Sequence, residues 1–155
     1  MNATSLKKNQ SSLQGFTLIE LLVVIAIISV LAVGLLAAIN PLDKINSAAD
    51  ARVQNDLGVL ARASESYSSS HSGFYPAAIA DLVSSSELKV APVPPTGYAY
   101  TFTALPGACT AGSTCTSITI TAPLKSSKYS ANPFQRYESA TGKSCQVLDP
   151  ATACP

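Results

Sequence analysis

The sequence predicts an α+β protein: a long N-terminal helix, hydrophobic in its first half and amphipathic in its second, packed against a small antiparallel β-sheet head. Three observations carry this reading. Residues 16–39 form an apolar run with a single charge, Glu20. After Pro41 the apolar residues fall at three- and four-residue steps. The C-terminal half holds short alternating stretches separated by Gly, Pro and Ser.

At 155 residues, with the N-terminal part taken up by a hydrophobic helix, the chain has room for one small globular domain. Ten basic and nine acidic residues give a net charge of +1, and only 12% of residues are charged. That balance excludes the strong basic field of a typical nucleic-acid-binding protein. Residues 1–15 contain Lys7 and Lys8 and no acidic residue, which predicts a cytoplasmic N-terminus and an extracytoplasmic remainder.

The 24 residues from Phe16 to Ile39 would extend about 36 Å as a helix, enough to cross a bilayer. An ordinary signal peptide has an apolar core of about 7–15 residues, so cleavage after Ala37 is the weaker reading. An uncleaved anchor holding a monomeric binding module is a second competitor. A carboxylate at the centre of a membrane helix costs about 2.5–3.5 kcal/mol, less near an interface, so Glu20 asks for a cationic partner. Cleavage between Gly15 and Phe16 would create one, a free α-amine at the start of the helix.

This junction, with Lys7-Lys8, Gly15, Phe16-Thr17-Leu18-Ile19-Glu20 and leucine-rich sequence after it, resembles the class III leader of type IV pilins and type II secretion pseudopilins. The resemblance runs from about Lys7 to Ala38 and beyond Pro41 is one of layout. It implies that a prepilin peptidase removes residues 1–15 after Gly15 and N-methylates Phe16. Residues 16–40 would then be a transmembrane and assembly helix, surrounded by membrane lipid before assembly. The implied product is a homopolymeric filament built by an inner-membrane assembly platform and displayed as a cell-surface pilus. Glu20 would pair with the Phe16 amine of a neighbouring subunit. The same resemblance leaves open a secretion pseudopilus or a DNA-uptake filament, and it implies a structural subunit, not an enzyme, with no cofactor. Loss of Lys7 and Lys8 leaves eight basic and nine acidic residues.

Residues 41–70 read as an amphipathic helix. Leu42, Ile45, Ala49, Val53, Leu57, Leu60 and Tyr67 form one stripe, expected to lie under the head, while Asp43, Lys44, Asp50, Arg52, Asp56, Arg62 and Glu65 take other faces. Gly34 and Asn40-Pro41 weaken helical continuity, because Pro41 lacks an amide hydrogen and disfavours helical geometry at Asn40. The outcome is either a kinked or locally melted stretch or the start of a separate helix. Ser68 to Gly73 should end the helix.

Residues 71–155 form the expected head. Tyr98–Thr103, Ser117–Ala122 and Phe134–Ser139 read as strands. The four cysteines, Cys109, Cys115, Cys145 and Cys154, all lie on the exported side, where disulfides persist. Four cysteines allow three connectivities; sequence-local pairs are preferred, since each closes a short loop. A four-cysteine zinc site competes, but the spacing is looser than in zinc knuckles. Secretion pseudopilins of the resembling family often hold calcium in an Asp-rich C-terminal loop. Here 141–155 offers only Asp149, so no metal site is expected, and the pilus is favoured over the pseudopilus.

An enzyme reading fares poorly. His71 is the single histidine and sits in a serine-rich turn, no Gly-x-Ser-x-Gly elbow occurs, and the acidic residues of the head are scattered. The remaining cluster is Lys125, Lys128, Arg136 and Lys143 interleaved with Tyr129, Phe134 and Tyr137. Cations with stackable rings suit single-stranded nucleic acid, but Glu138 and Asp149 dilute the charge, and a solvated face is the favoured reading.

Overall fold

The computed structural model describes residues 15–155. The leader with Lys7 and Lys8 lies outside the described residues. The chain divides into two compact units, one ending at Asn40 and one spanning Pro41–Pro155.

In the first unit a single helix, α1, runs Leu18–Ile39. It runs through Gly34 without interruption, and the separation from the next helix falls at Asn40-Pro41, the second of the two alternatives the sequence left open. One glycine costs a helix only about 1 kcal/mol, which the surrounding strong helix formers absorb. Ser29, the one hydroxyl residue inside α1, turns its Oγ back to the Ile25 carbonyl at 2.7 Å, so its hydroxyl is satisfied within the helix. The helix ends at Asn40, whose φ of 46° places it in the left-handed region. Asparagine tolerates that conformation better than most residues, and Pro41 cannot continue the hydrogen-bond ladder.

The second unit starts with α2, Pro41–Ser70, followed by a short helix α3, Ile79–Ser84. Four strands follow: β1 Thr101–Leu105, β2 Ser117–Pro123, β3 Phe134–Glu138 and β4 Lys143–Val147. They form an antiparallel meander in the order β1-β2-β3-β4. Phe102, Ile120 and Tyr137 share one row by register and join the core formed with Val53, Leu57, Leu60 and Tyr67 of α2 and Leu82 of α3.

The buried stripe of α2 differs from the one expected. Leu42 and Ile45 are 72% and 65% exposed, whereas Asp50 is fully buried. Asp50, Val53, Leu57, Leu60, Ser64 and Tyr67 are the three- and four-spaced set that faces the head. Two polar members hide it from a search for apolar residues. Ser64 satisfies itself by bonding to the Leu60 carbonyl at 2.8 Å.

Asp50 is satisfied by the head. Its Oδ1 accepts from the Tyr98 hydroxyl and the Lys125 amide, and its Oδ2 from the Ser126 amide, all at 2.8 Å. Asp43 accepts from the Ser127 amide at 2.7 Å, so two carboxylates of α2 hold the 125–127 loop. Farther along, Tyr100 donates to Asp56 at 2.6 Å, and Tyr75 and Tyr137 both donate to Glu65, at 2.9 and 2.5 Å. Burial pushes the Asp50 carboxyl upward, but the donors of the 125–126 loop and Tyr98 outweigh it and hold it below its ordinary value. Burial, and then the bond to Asp50, pushes the Tyr98 phenol up to about 12. Tyr100 and Tyr137 are raised in the same way by burial and by their carboxylate partners.

β4 was not anticipated. Its Lys-Ser-Cys-Gln-Val sequence carries one aliphatic residue, and it exists because Gly142, at φ 65°, turns the chain back beside β3. Conversely Tyr98 to Tyr100 precede β1, since Tyr98 bonds into a turn through the Pro95 carbonyl at 3.0 Å. Disulfides join Cys109 to Cys115 and Cys145 to Cys154. The second pins the C-terminal tail to β4.

Asp50→Asn should destabilise the head by roughly 2–4 kcal/mol, since the amide nitrogen would face backbone donors; urea unfolding of the detergent-solubilised chain, followed by near-ultraviolet circular dichroism, measures this. A depressed Asp50 contributes stability present above the ordinary carboxylate range and lost as pH falls through the folded value. A raised Tyr98 contributes stability present below pH ~10 and lost as pH climbs toward about 12. Asp50→Asn should remove the acid limb belonging to this site, and Tyr98→Phe the alkaline one. Replacing Cys145 and Cys154 together by serine should cost about 2–3 kcal/mol in the chain-entropy account, read from the same unfolding curves.

Candidate functional site

The start of α1 is built by four residues. Thr17 is the N-cap: its Oγ1 accepts from the Glu20 amide at 3.3 Å. Glu20 reaches back, its Oε2 accepting from the Thr17 amide and the Thr17 hydroxyl, both at 2.9 Å. This reciprocal capping box satisfies donors that every helix N-terminus leaves open. The sequence signal, Thr-x-x-Glu before an apolar run, was present in Thr17 to Glu20 and was not used. Glu20 therefore has a local partner within its own chain, besides any cation brought from outside. A carboxylate in the first turn also complements the positive end of the helix dipole.

Phe16, immediately before the cap, is 88% exposed, and, its chain neighbours aside, none of the described residues has an atom within 4 Å of where a Gly15 Cβ would stand. Both residues of this junction are exposed. From Leu18 to Leu36 the helix is long and apolar enough to cross a membrane, and none of that span is buried. Large side chains are exposed around its full circumference, Leu18, Ile25, Val30 and Leu35 among them. Such a surface is stable in lipid or against other apolar helices and not in water.

The sequence pattern described as the prokaryotic N-terminal methylation motif matches residues 11–36. That match is consistent with the class III leader of type IV pilins and pseudopilins. The motif belongs to a family of structural subunits whose leader implies processing by a prepilin peptidase. No curated protein and no solved structure matches the chain.

The basic cluster of the head does not converge. Lys125 Nζ lies 4.8 Å from the centroid of Tyr98, and Lys128 Nζ 5.0 Å from that of Tyr129; both belong to the loop between β2 and β3. Arg136, on β3, is bonded to Glu138 at 2.5 Å and to the Pro150 carbonyl, and Lys143, on β4, to the Pro155 carbonyl at 2.5 Å. Tyr129 accepts from Gln54 at 2.8 Å, and Tyr137 turns its hydroxyl into Glu65. Two of the cluster's three rings, Tyr129 and Tyr137, are thus engaged with α2. His71 stacks on Tyr67 with ring centroids 3.8 Å apart, and its Nδ1 lies 2.9 Å from the Tyr67 carbonyl. It closes the end of α2. Among the described residues no group of three or more His, Cys, Asp or Glu is arranged to hold a metal ion.

Thr17→Val removes the side-chain cap and leaves the Thr17 amide free to bond Glu20. A cap of about 1 kcal/mol corresponds to roughly fivefold faster amide exchange at Glu20, measurable by hydrogen exchange in micelles.

Proposed function

We propose that this chain is the structural subunit of a type IV pilus-like filament, cleaved after Gly15, N-methylated at Phe16 and polymerised through α1. The observation that supports this best is the junction itself: an exposed Gly15 and Phe16 directly ahead of a capped helix that is apolar on every face and carries one charge. After cleavage the Phe16 amine of one subunit approaches Glu20 of a neighbour. The capping box keeps the carboxylate hydrogen-bonded until then. A second copy offers a charge-assisted bond in apolar surroundings, where its loss would strand a buried charge. Register follows from the same pairing, since only one stagger brings the two charges together.

Before assembly the subunit sits in the cytoplasmic membrane with its N-terminus inside and its head outside, and an inner-membrane platform moves it into the filament. The tail from Thr141 offers only Asp149 as an acidic ligand, and a disulfide closes the loop in its place. This favours a surface pilus over a calcium-holding secretion pseudopilus. Nucleic-acid capture by the head is not favoured, because its cations and rings are separately engaged.

Peptide mass spectrometry of material sheared from cells should find a peptide starting at Phe16 with one added methyl group. Only intact Met1 in the membrane fraction would instead make the helix an uncleaved anchor. Glu20→Ala should reduce sheared filament at least tenfold, an order-of-magnitude expectation for losing one buried charge pair, while membrane insertion is unchanged. Filaments at normal yield would defeat the pairing mechanism.

A further inference from the structure

The face of the sheet turned away from α2 is only partly covered. Arg136 and Glu138 stand on it, and the C-terminal tail folds over them: the Pro150 carbonyl accepts from Arg136, and the Cys154 amide donates to Glu138 at 3.2 Å. The Cys145–Cys154 disulfide fixes the tail there. Beside it, over β1 and β2, a cleft of about 390 Å³ stays open. Its floor is four threonines paired across the two strands, Thr101 with Thr121 and Thr103 with Thr119. Leu105 lines one end, and Pro150 with Ala151 of the tail forms the wall.

Thr121 is only 6% exposed, yet it lines this cleft. The four hydroxyls have no hydrogen-bond partner among the described residues. Partners opposite one another on neighbouring strands stand about 5 Å apart, and residues two apart on one strand just under 7 Å. The floor is therefore a small grid of groups that both donate and accept. Arg136 is the one charged residue lining the cleft, and its guanidinium is already paired with the Glu138 carboxylate at 2.5 Å and with the Pro150 carbonyl, which leaves no free charge to select an ionic ligand. Leu105, Pro150 and Ala151 supply apolar contact at the rim.

We propose that this cleft is a binding site for an uncharged, hydroxyl-rich ligand, a short stretch of neutral polysaccharide. Sugar hydroxyls exchange hydrogen bonds with the threonine grid, and the C–H faces of the rings lie against the proline and leucine rim. The volume falls at the lower end of small-ligand sites and suits one or two sugar units. No aromatic ring lines the cleft, so a single site binds weakly, in the millimolar range. Useful retention comes from many copies in one filament, by effective concentration. That last step rests on the filament reading; the site itself does not.

The test is a nuclear magnetic resonance titration of the full chain in micelles of a sugar-free zwitterionic detergent, with cellohexaose and maltohexaose as probes. Saturable shifts at Thr101, Thr103, Thr119 and Thr121 are expected from at least one probe. Thr103→Val with Thr119→Val should weaken binding roughly tenfold, two hydrogen bonds' worth, without moving the thermal midpoint. Thr103→Val alone serves if the double variant misfolds. No saturable shift from either sugar, shifts confined to another surface, undiminished binding by the variants, or a preference for polygalacturonate would each overturn the proposal. Because the titration uses unassembled chain, failure to form filaments leaves its result intact. Tighter retention of sheared filaments on immobilised glucan tests the multivalent step separately.

Discussion

A helix of 22 residues, satisfied along its backbone and carrying exposed large apolar side chains on every face beside a single charge, needs apolar surroundings. Water is the one environment that α1 cannot accept, so the chain is committed either to a bilayer or to a bundle of like helices. The balance between those two is subtle, because lipid tails are as apolar as leucine and burial alone does not favour the bundle. Something polar must tip it. Glu20 is the only ionisable side chain in the span, and its bonds to Thr17 let it wait in the membrane without an exposed bare carboxylate.

The second unit solves a different problem by different means. Its sheet is short and its aliphatic core modest, so the contact between α2 and the head depends heavily on polar bonds. Asp43, Asp50, Asp56 and Glu65 each receive a donor from the head. Phenols suit this role, since a tyrosine buries a large apolar ring and still delivers one directed hydrogen bond. The arrangement fixes rotation and register of the helix against the sheet, which interchangeable aliphatic contacts do less sharply. Its sensitivity to both acid and alkali is the price of using ionisable groups for that purpose.

Much of this architecture was legible in the sequence. The unbroken apolar run of α1, the serine- and glycine-rich composition that ends α2 near Ser70, and the alternation of the three strands around Phe102, Ile120 and Tyr137 were each readable. Asp50 was unreadable by the same rule, because a buried carboxylate looks like a surface residue until its three donors are known, and those lie 48, 75 and 76 residues away. β4 was missed because its pairing comes from the turn at Gly142 and the tether at Cys145, not from its own side chains. The capping box at Thr17 and Glu20 was readable but was overshadowed by the membrane cost of the carboxylate. The threonine cleft depends on where the tail lies, which no local pattern specifies.

Leu42 and Ile45 leave two bare apolar side chains on α2 just past the apolar run in the sequence, next to Asp43, which braces the 125–127 loop. Anyone seeking a water-soluble version of the head meets a conflict there. A cut made before Pro41 keeps the brace and also keeps the sticky surface; a cut after Ile45 removes both. The way out is to retain the first turns of α2 and recolour them, placing lysine or glutamate at 42 and 45, so that the head keeps its brace and sheds its oil.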